Sequence, residues 1–126
     1  MITEREAGER DFSIRYLRHG FPEAFKVLFF EYYPELFSFS QMLLQHRLLA
    51  RKMTIEAFFL LWSKRKEVDS VKKVKALLYL AVRNKCMEQL KAPAASVEQT
   101  VMVDAIPSSL PPELLRELFT FAARTL

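Results

Sequence analysis

The sequence predicts an all-α fold, a compact helical bundle followed by a linker and one C-terminal helix. Only 2 of the 126 residues are glycine, and runs of β-branched residues are absent, which favours helices over strands. Long segments place apolar residues three and four positions apart, as one face of a helix requires. Because 51% of the chain is hydrophobic, it has enough apolar material for a single core. We expect a helical domain over residues 1–91, a linker over 92–110 and a helix over 111–126.

The apolar pattern is weaker in the first predicted helix than in the second. A short helix over residues 8–19 ends at Gly20, and its expected core contacts are Phe12, Ile14, Tyr16 and Leu17. A stronger pattern begins at Phe21, and Pro22 suits a first helical turn. Because Pro34 lies inside this pattern, we expect the helix to kink or break near Tyr33 and to restart as PELFSFSQMLLQ. The apolar residues of the two parts are Phe21, Ala24, Phe25, Leu28, Tyr32, Leu36, Phe37, Phe39, Met42, Leu43 and Leu44.

The third predicted helix covers roughly residues 48–66. Ile55 and Phe59 fall beside or away from its inner stripe, and they indicate either a wide buried face or a contact surface for a partner. The inner stripe follows helical spacing and contains Ala50, Met53, Thr54, Ala57, Phe58, Leu61 and Trp62.

The fourth predicted helix, over residues 70–91, has two different faces, and Ser70 is its expected N-cap. A basic and aromatic face can run along phosphates while its aromatic ring stacks on an unpaired base. The core stripe contains Val71, Val74, Leu77, Leu78, Ala81 and Val82. The basic and aromatic face contains Lys72, Lys75, Tyr79 and Arg83, flanked by Lys73, Asn84 and Lys91.

The positive charge of the chain is concentrated around this helix. The net charge of the chain is +4, and residues 62–91 alone hold nine basic and three acidic side chains, a local charge of +6. Such a cluster is typical of a polyanion-binding surface, and the alternative is a solvated lysine-rich face.

Residues 92–110 contain prolines and small side chains without a helical period, which indicates a linker. A last helix follows, with Ser108 or Ser109 as its cap and Pro111 and Pro112 near its first turn. A lone helix of this kind would expose apolar surface, so we expect it to fold back on the domain or to pair with another chain. Its apolar residues are Leu114, Leu115, Leu118, Phe119 and Phe121.

The sequence favours a protein without enzymatic activity, cofactor or metal. His19, His46 and Cys86 lie far apart without metal-ligand spacing, and two glycines hardly suffice for a phosphate-binding loop. Cys86 is expected to serve in packing, and Glu31 and Glu35 are expected to be solvated. The sequence has no apolar window long enough to span a membrane and no recognisable signal peptide. With a single cysteine, these features favour a cytoplasmic chain.

Three segments, taken in order, resemble the second conserved region of extracytoplasmic-function sigma factors of bacterial RNA polymerase. They are FPEAFKVLFFEYYPELFSFSQMLL, ARKMTIEAFFLLWSKR and VKALLYLAVRNKCMEQLK, and they lie within residues 21–91. The resemblance implies a factor that binds core polymerase and recognises and melts the promoter minus-ten element to initiate transcription. Its partners would be the clamp helices of the largest polymerase subunit and the non-template promoter strand. The resemblance also allows an anti-sigma factor as a further, regulating partner.

The resemblance also implies roles for individual residues. It places DNA contacts in the loop around residues 66–70 and on the following helix, including Arg83 and Asn84. The implied docking residues for core polymerase are Arg51, Lys52, Ile55, Glu56 and Phe59. Together with the basic face described above, the expected DNA-binding residues are Lys66, Lys72, Lys73, Lys75, Tyr79, Arg83 and Asn84.

Two departures from the family pattern favour an alternative. Arg51 and Lys52 stand where the family usually has an acidic pair, and Ile55 stands where it usually has glutamine. Residues 111–126 resemble only the first helix of the family's C-terminal helix-turn-helix domain, so we expect a truncated or a naturally shortened factor. The alternative is a degenerate sigma-like module that binds a regulatory protein or itself, without promoter activity.

Overall fold

A computed structural model describes residues 13–91 and 106–125 of the chain. Within these two stretches all regular structure is helical and no strand occurs, which confirms the all-α prediction. No helix in the same stretches is long and apolar enough to cross a membrane. The helices are α1 (residues 13–18), α2 (Pro22–Leu44), α3 (Arg47–Ser63), α4 (Val71–Lys91) and α5 (Pro112–Arg124), with a 3-10 turn at Arg65–Glu67. Residues 8–12 of the predicted first helix, including Phe12, and residues 92–105 of the predicted linker lie outside the described residues.

Helix α2 runs without interruption through Pro34, so the predicted break and restart near Tyr33 are wrong. Pro34 is exposed, and its missing N–H costs the helix one internal hydrogen bond. The neighbouring Tyr33, Leu36 and Phe37 are buried against the rest of the bundle. Their packing stabilises the helical backbone on both sides of the proline and outweighs its local cost.

The core is centred on aromatic rings from α2 and α3. The ring of Phe29 lies 4.6 Å from that of Phe58 and stacks on Tyr33 at 5.0 Å. Phe25 meets Trp62 edge-on at 5.5 Å. Each such pair contributes about 0.5–1.5 kcal/mol beyond the burial of its area, so these contacts fix α2 against α3.

Helix α3 is buried more widely than its inner stripe alone would require. All seven residues of the predicted stripe are buried, and Ile55 and Phe59 are buried as well. Of the two interpretations of Ile55 and Phe59, the wide buried face is therefore confirmed for this fold. The width arises because α2, α4 and α5 all contact α3.

Three residues lie at the surface, namely the expected core contact Tyr16 and two members of the apolar pattern of α2, Phe21 and Met42. Phe21 precedes the first turn of α2 as its N-cap and is 51% exposed, with its ring edge-on to that of Tyr16 at 5.1 Å. Tyr16 and Met42 are exposed as well. In contrast, Ile14 and Leu17 of α1 are buried as expected.

Helix α4 begins with the predicted cap, since the backbone N–H of Lys73 donates to the Ser70 hydroxyl at 3.2 Å. Its residue Cys86 is buried where α2, α3 and α4 meet. The Cys86 Sγ lies 3.3 Å from the Oγ of Ser40, which also donates to the Ala50 carbonyl at 3.2 Å. Burial raises the pKa of the Cys86 thiol. These contacts agree with the packing role expected for this cysteine.

Helix α5 folds back on α2 and α3, one of the two outcomes expected for it. Leu114 and Leu118 are buried, and Leu115, Phe119 and Phe121 are partly buried against the core. The expected capping by Ser108 or Ser109 is wrong, because Pro111 occupies the N-cap position without a side-chain hydrogen bond. The hydroxyl of Ser109 instead accepts a hydrogen bond from the indole N–H of Trp62 at 2.8 Å.

Candidate nucleic-acid interface

A groove of about 450 Å³ lies between the end of α3, the loop over residues 64–70 and one side of α4. Its size is within the range typical of small-ligand sites. The walls are largely aliphatic, and a few polar side chains surround them. The lining residues are Leu60, Lys64, Glu67, Val68, Lys73, Ala76, Leu77, Leu80, Ala81 and Asn84.

The loop that closes one end of the groove is held by contacts to α1 and α3. The guanidinium of Arg65 lies 4.3 Å from the centre of the Trp62 ring and donates to the Trp62 carbonyl at 2.9 Å. Val68 is buried, and its carbonyl accepts a hydrogen bond from Arg18 at 3.3 Å. The groove therefore has one wall formed by an anchored loop and another formed by a regular helix.

The rim of the groove carries charged side chains of both signs. Lys73 pairs with Asp69 at 3.1 Å, and both side chains are well exposed. The hydrogen bond from Lys73 lowers the pKa of the Asp69 carboxyl. Lys64 faces the same groove, as does Glu67. An exposed ion pair such as Lys73–Asp69 contributes little free energy in water. Lys73 can therefore leave Asp69 and pair with another anion.

The predicted DNA-binding residues of α4 lie toward two sides of the helix. Lys73 and Asn84 line the groove on the α3 side. Tyr79 and Lys75 lie toward α2, where the Tyr79 hydroxyl donates to Glu35 at 2.6 Å and the Lys75 ammonium lies 3.9 Å from the same carboxylate. Lys73 and Asn84 thus flank the predicted face, whereas its members Lys75 and Tyr79 contact Glu35, which is exposed as expected and also accepts this hydrogen bond.

Tyr79 is held by contacts with two residues of α2, Phe39 and Glu35. Its ring packs against Phe39 with 5.2 Å between the ring centres. The hydrogen bond to Glu35, burial and the negative charge of Glu35 raise the pKa of Tyr79 to about 12. The side chain is thus held as a neutral bridge between α4 and α2, and no aromatic residue lines the groove.

Exposed cations lie along the ridge of α4 and beside the groove. Lys72, Arg83 and Lys91 are exposed on α4, and Lys66 is exposed in the loop. A second depression of about 450 Å³ continues along α4 and is lined by Arg83, Asn84, Met87, Glu88 and Lys91. Asn84 lines both depressions and so lies at their boundary.

The five predicted docking residues do not form one exposed surface. Ile55 and Phe59 are only 2% and 3% exposed, and an edge of Phe59 is covered by the ring of Phe119 at 6.2 Å. Arg51, Lys52 and Glu56 are half-buried along α3. In this fold, direct contact with a partner is therefore restricted to these three of the five residues.

The charges along this edge of α3 are partly compensated inside the molecule. Glu56 lies 3.7 Å from the Lys85 ammonium of α4. Burial lowers the pKa of Lys52, and the neighbouring Glu56 opposes this shift. Burial also raises the pKa of Tyr33, against the opposing charge of Arg51. This edge thus presents two cations and one compensated carboxylate.

Sequence reasoning missed most of the groove lining. Leu80 is 57% exposed and lies one turn before Asn84, yet it belongs neither to the predicted core stripe nor to the predicted basic face. Lys64 was part of the basic segment but was not singled out. The sequence signal for Leu80 was the helical spacing of Lys73, Leu77, Leu80 and Asn84, which places an aliphatic stripe between polar ends.

Among the described residues no group of three or more His, Cys, Asp or Glu side chains is placed to hold a metal ion. Comparison with known proteins adds no assignment, because no family model, no curated protein and no solved structure matches this chain.

Proposed function

We propose that this chain is a sigma factor of the extracytoplasmic-function type, which binds core RNA polymerase and the non-template strand of the promoter minus-ten element. The observation that carries the proposal is the groove beside α4, bordered by exposed cations on the segment of highest positive charge. Lys66, Lys72 and Arg83 would contact phosphates, while the groove would receive an unpaired base. No covalent chemistry is required of the protein in this role.

The groove suits a base that has left its stack. Leu77 and Leu80 provide aliphatic surface for the flat faces of the base, and the Asn84 amide provides a donor and an acceptor for its edge. Lys73 is placed at the rim near the phosphates that would flank such a base. Because Tyr79 is bonded to Glu35, we assign it to the support of α4 rather than to stacking on DNA.

The test is the salt dependence of binding to a fluorescent single-stranded oligonucleotide, measured by anisotropy for the wild type and for Lys72→Ala and Arg83→Ala. Each lost phosphate contact should reduce the slope of log K against log salt by roughly 0.7–1 unit. Arg116→Ala, which removes an exposed cation from α5, is the matched control and should leave the slope unchanged. Equal slopes for all four proteins would contradict the proposed DNA face.

A second candidate is favoured by the burial of Ile55 and Phe59. With only Arg51, Lys52 and Glu56 accessible, the chain would be a degenerate sigma-like module that binds a regulatory protein or itself. Co-elution of the chain with core polymerase from its own organism, at moderate salt, separates the two candidates. A stable complex favours the sigma factor, whereas a folded chain that elutes alone favours the interaction module.

A further inference from the structure

Helix α5 covers a strongly aromatic surface of the bundle. We define the aromatic face as Phe29, Phe30, Tyr33 and Phe59. The Phe121 ring of α5 lies 4.6 Å from Phe30, 6.0 Å from Tyr33 and 6.3 Å from Phe29, and Phe119 meets Phe59 edge-on. Two polar contacts accompany the rings, from Lys26 to Glu117 at 3.0 Å and from Trp62 to Ser109 at 2.8 Å.

The helix itself depends on this contact for its structure. It has 13 residues and no side-chain N-cap, so it is at the lower limit of length for a helix that persists alone in water. Its polar contact through Glu117 is more than half exposed and therefore weak. Helix α5 is joined to α4 through residues 92–105 of the same chain, and this covalent link keeps it at a high effective concentration near the aromatic face.

The covered surface is continuous with the candidate docking edge. Phe59 lies on α3 one turn beyond Ile55 and Glu56, and the accessible Arg51 and Lys52 lie one turn before them. Helix α5 thus covers Phe59, one of the two apolar docking residues, and leaves the charged docking residues open. If α5 were displaced, the aromatic face would need another apolar cover, because so large an exposed patch is unfavourable in water.

We propose that α5 is a displaceable internal cover, and that core RNA polymerase takes its place on the aromatic face when the chain docks. This inference rests on the proposed function. It reconciles the burial of Phe59 with a docking role, since the closed form would be the unbound one. The affinity for polymerase is then reduced by the fraction of molecules in which α5 is closed.

The first experiment weakens the cover in the full-length chain and measures two quantities. Phe121→Ala removes the ring that contacts α2, and Ala123→Ser at an exposed position of α5 is its control. Amide hydrogen exchange reports the opening of α5 relative to α4, and binding to core polymerase reports docking. We expect faster exchange in α5 alone and about tenfold tighter binding for Phe121→Ala, with both quantities nearly unchanged for Ala123→Ser.

A surface charge pair provides a second, milder perturbation that leaves the core intact. Glu117→Lys places a like charge beside Lys26, and the double exchange Lys26→Glu with Glu117→Lys restores opposite charges at these two positions while losing the pair between Lys26 and Glu23. We expect Glu117→Lys to open α5 and tighten polymerase binding about twofold to threefold, and the double exchange to reverse most of both changes.

The outcomes distinguish this inference from the proposed function. If opened variants bind polymerase no more tightly than a wild type that does bind, the cover is not inhibitory, whereas the sigma assignment stands. If neither the wild type nor an opened variant binds, the docking proposal and the cover both fail. If neither variant accelerates exchange in α5, the helix is not held by these contacts and the inference is wrong.

Discussion

The contact between Tyr79 and Glu35 joins α4 to α2 through a single hydrogen bond with a definite pH dependence. The carboxylate and burial favour the neutral phenol, so the pKa of Tyr79 rises from 10.0 to about 12. A group whose pKa is higher in the folded state stabilises the fold below its unfolded pKa. The contribution of Tyr79 is therefore complete below about pH 10 and is lost as the pH rises through about 12.

We expect the ultraviolet absorbance of the native protein to show a tyrosinate step near pH 12 that is absent in Tyr79→Phe. Glu35→Gln should move this step toward the ordinary value, because the charged acceptor is gone. A step that stays near pH 12 in Glu35→Gln would show that burial alone sets the pKa.

The hydroxyl of Ser109 provides a second test at this scale. Ser109→Ala removes the part-buried hydrogen bond of the Trp62 indole N–H, which should cost about 0.5–1.5 kcal/mol of unfolding free energy. Ser108→Ala changes an exposed neighbouring serine and should cost less than about 0.5 kcal/mol. Urea denaturation of the two variants measures the difference, and equal stabilities would contradict the assigned hydrogen bond.

At the level of residues, spacing along the chain predicted buried positions well and polar partners poorly. The inner stripe of α3 follows directly from helical periodicity, because that periodicity is a local property of the sequence. The partners of Tyr79 and Ser109 lie 44 and 47 positions away, and such pairs depend on how the helices pack. The hydrogen bond from Tyr79 to Glu35 has the same origin, because it depends on how α4 packs against α2.

Among the elements, α2 departs most from its expectation because it continues through Pro34. Pro34→Ala should restore one helical hydrogen bond at an exposed position and raise the unfolding free energy by about 1–3 kcal/mol. Ser38→Ala, at another exposed position of α2, is the control and should change stability by only a few tenths of a kcal/mol. Chemical denaturation gives both values. A loss of stability in Pro34→Ala would mean that the proline shapes α2 in a way its neighbours require.

The bounds of the other elements were predicted more closely. The expected third helix, over residues 48–66, corresponds to α3 and the following 3-10 turn. The expected fourth helix, over residues 70–91, corresponds to α4 with its Ser70 cap. Capping residues and periodicity are local signals, so they define these bounds without knowledge of the fold.

For the whole molecule, the aromatic core between α2 and α3 dominates stability. Phe58→Ala removes contacts with Phe25, Phe29 and Tyr33 and should cost about 3–5 kcal/mol, a large part of the 5–15 kcal/mol typical of a small domain. Phe21→Ala removes an exposed ring and serves as the control, with an expected cost below about 1 kcal/mol. Thermal unfolding followed by circular dichroism compares the two. A similar cost for both would place the stabilising core elsewhere.

The fold class followed from composition and periodicity, but the groove did not. Three segments form it, and each contributes side chains that look unremarkable in sequence, such as Leu60, Val68 and Leu80. Their convergence depends on the packing of α3 against α4 and on the anchoring of the loop by Arg18 and Arg65. A groove formed by three separate segments can be recognised only once the packing of the helices is known.

The buried position of Cys86 makes the rate of thiol labelling a measure of how often the bundle opens. Its thiol is buried at the meeting point of α2, α3 and α4, so an added thiol reagent has to wait until these three helices separate. Because Cys86 is the single cysteine of the sequence, one labelling event corresponds to one opened molecule. The labelling rate therefore counts disruptions of the central bundle, and amide exchange in α5 counts the detachment of the last helix. Used together on one sample, the two signals separate loss of the fold from release of its cover.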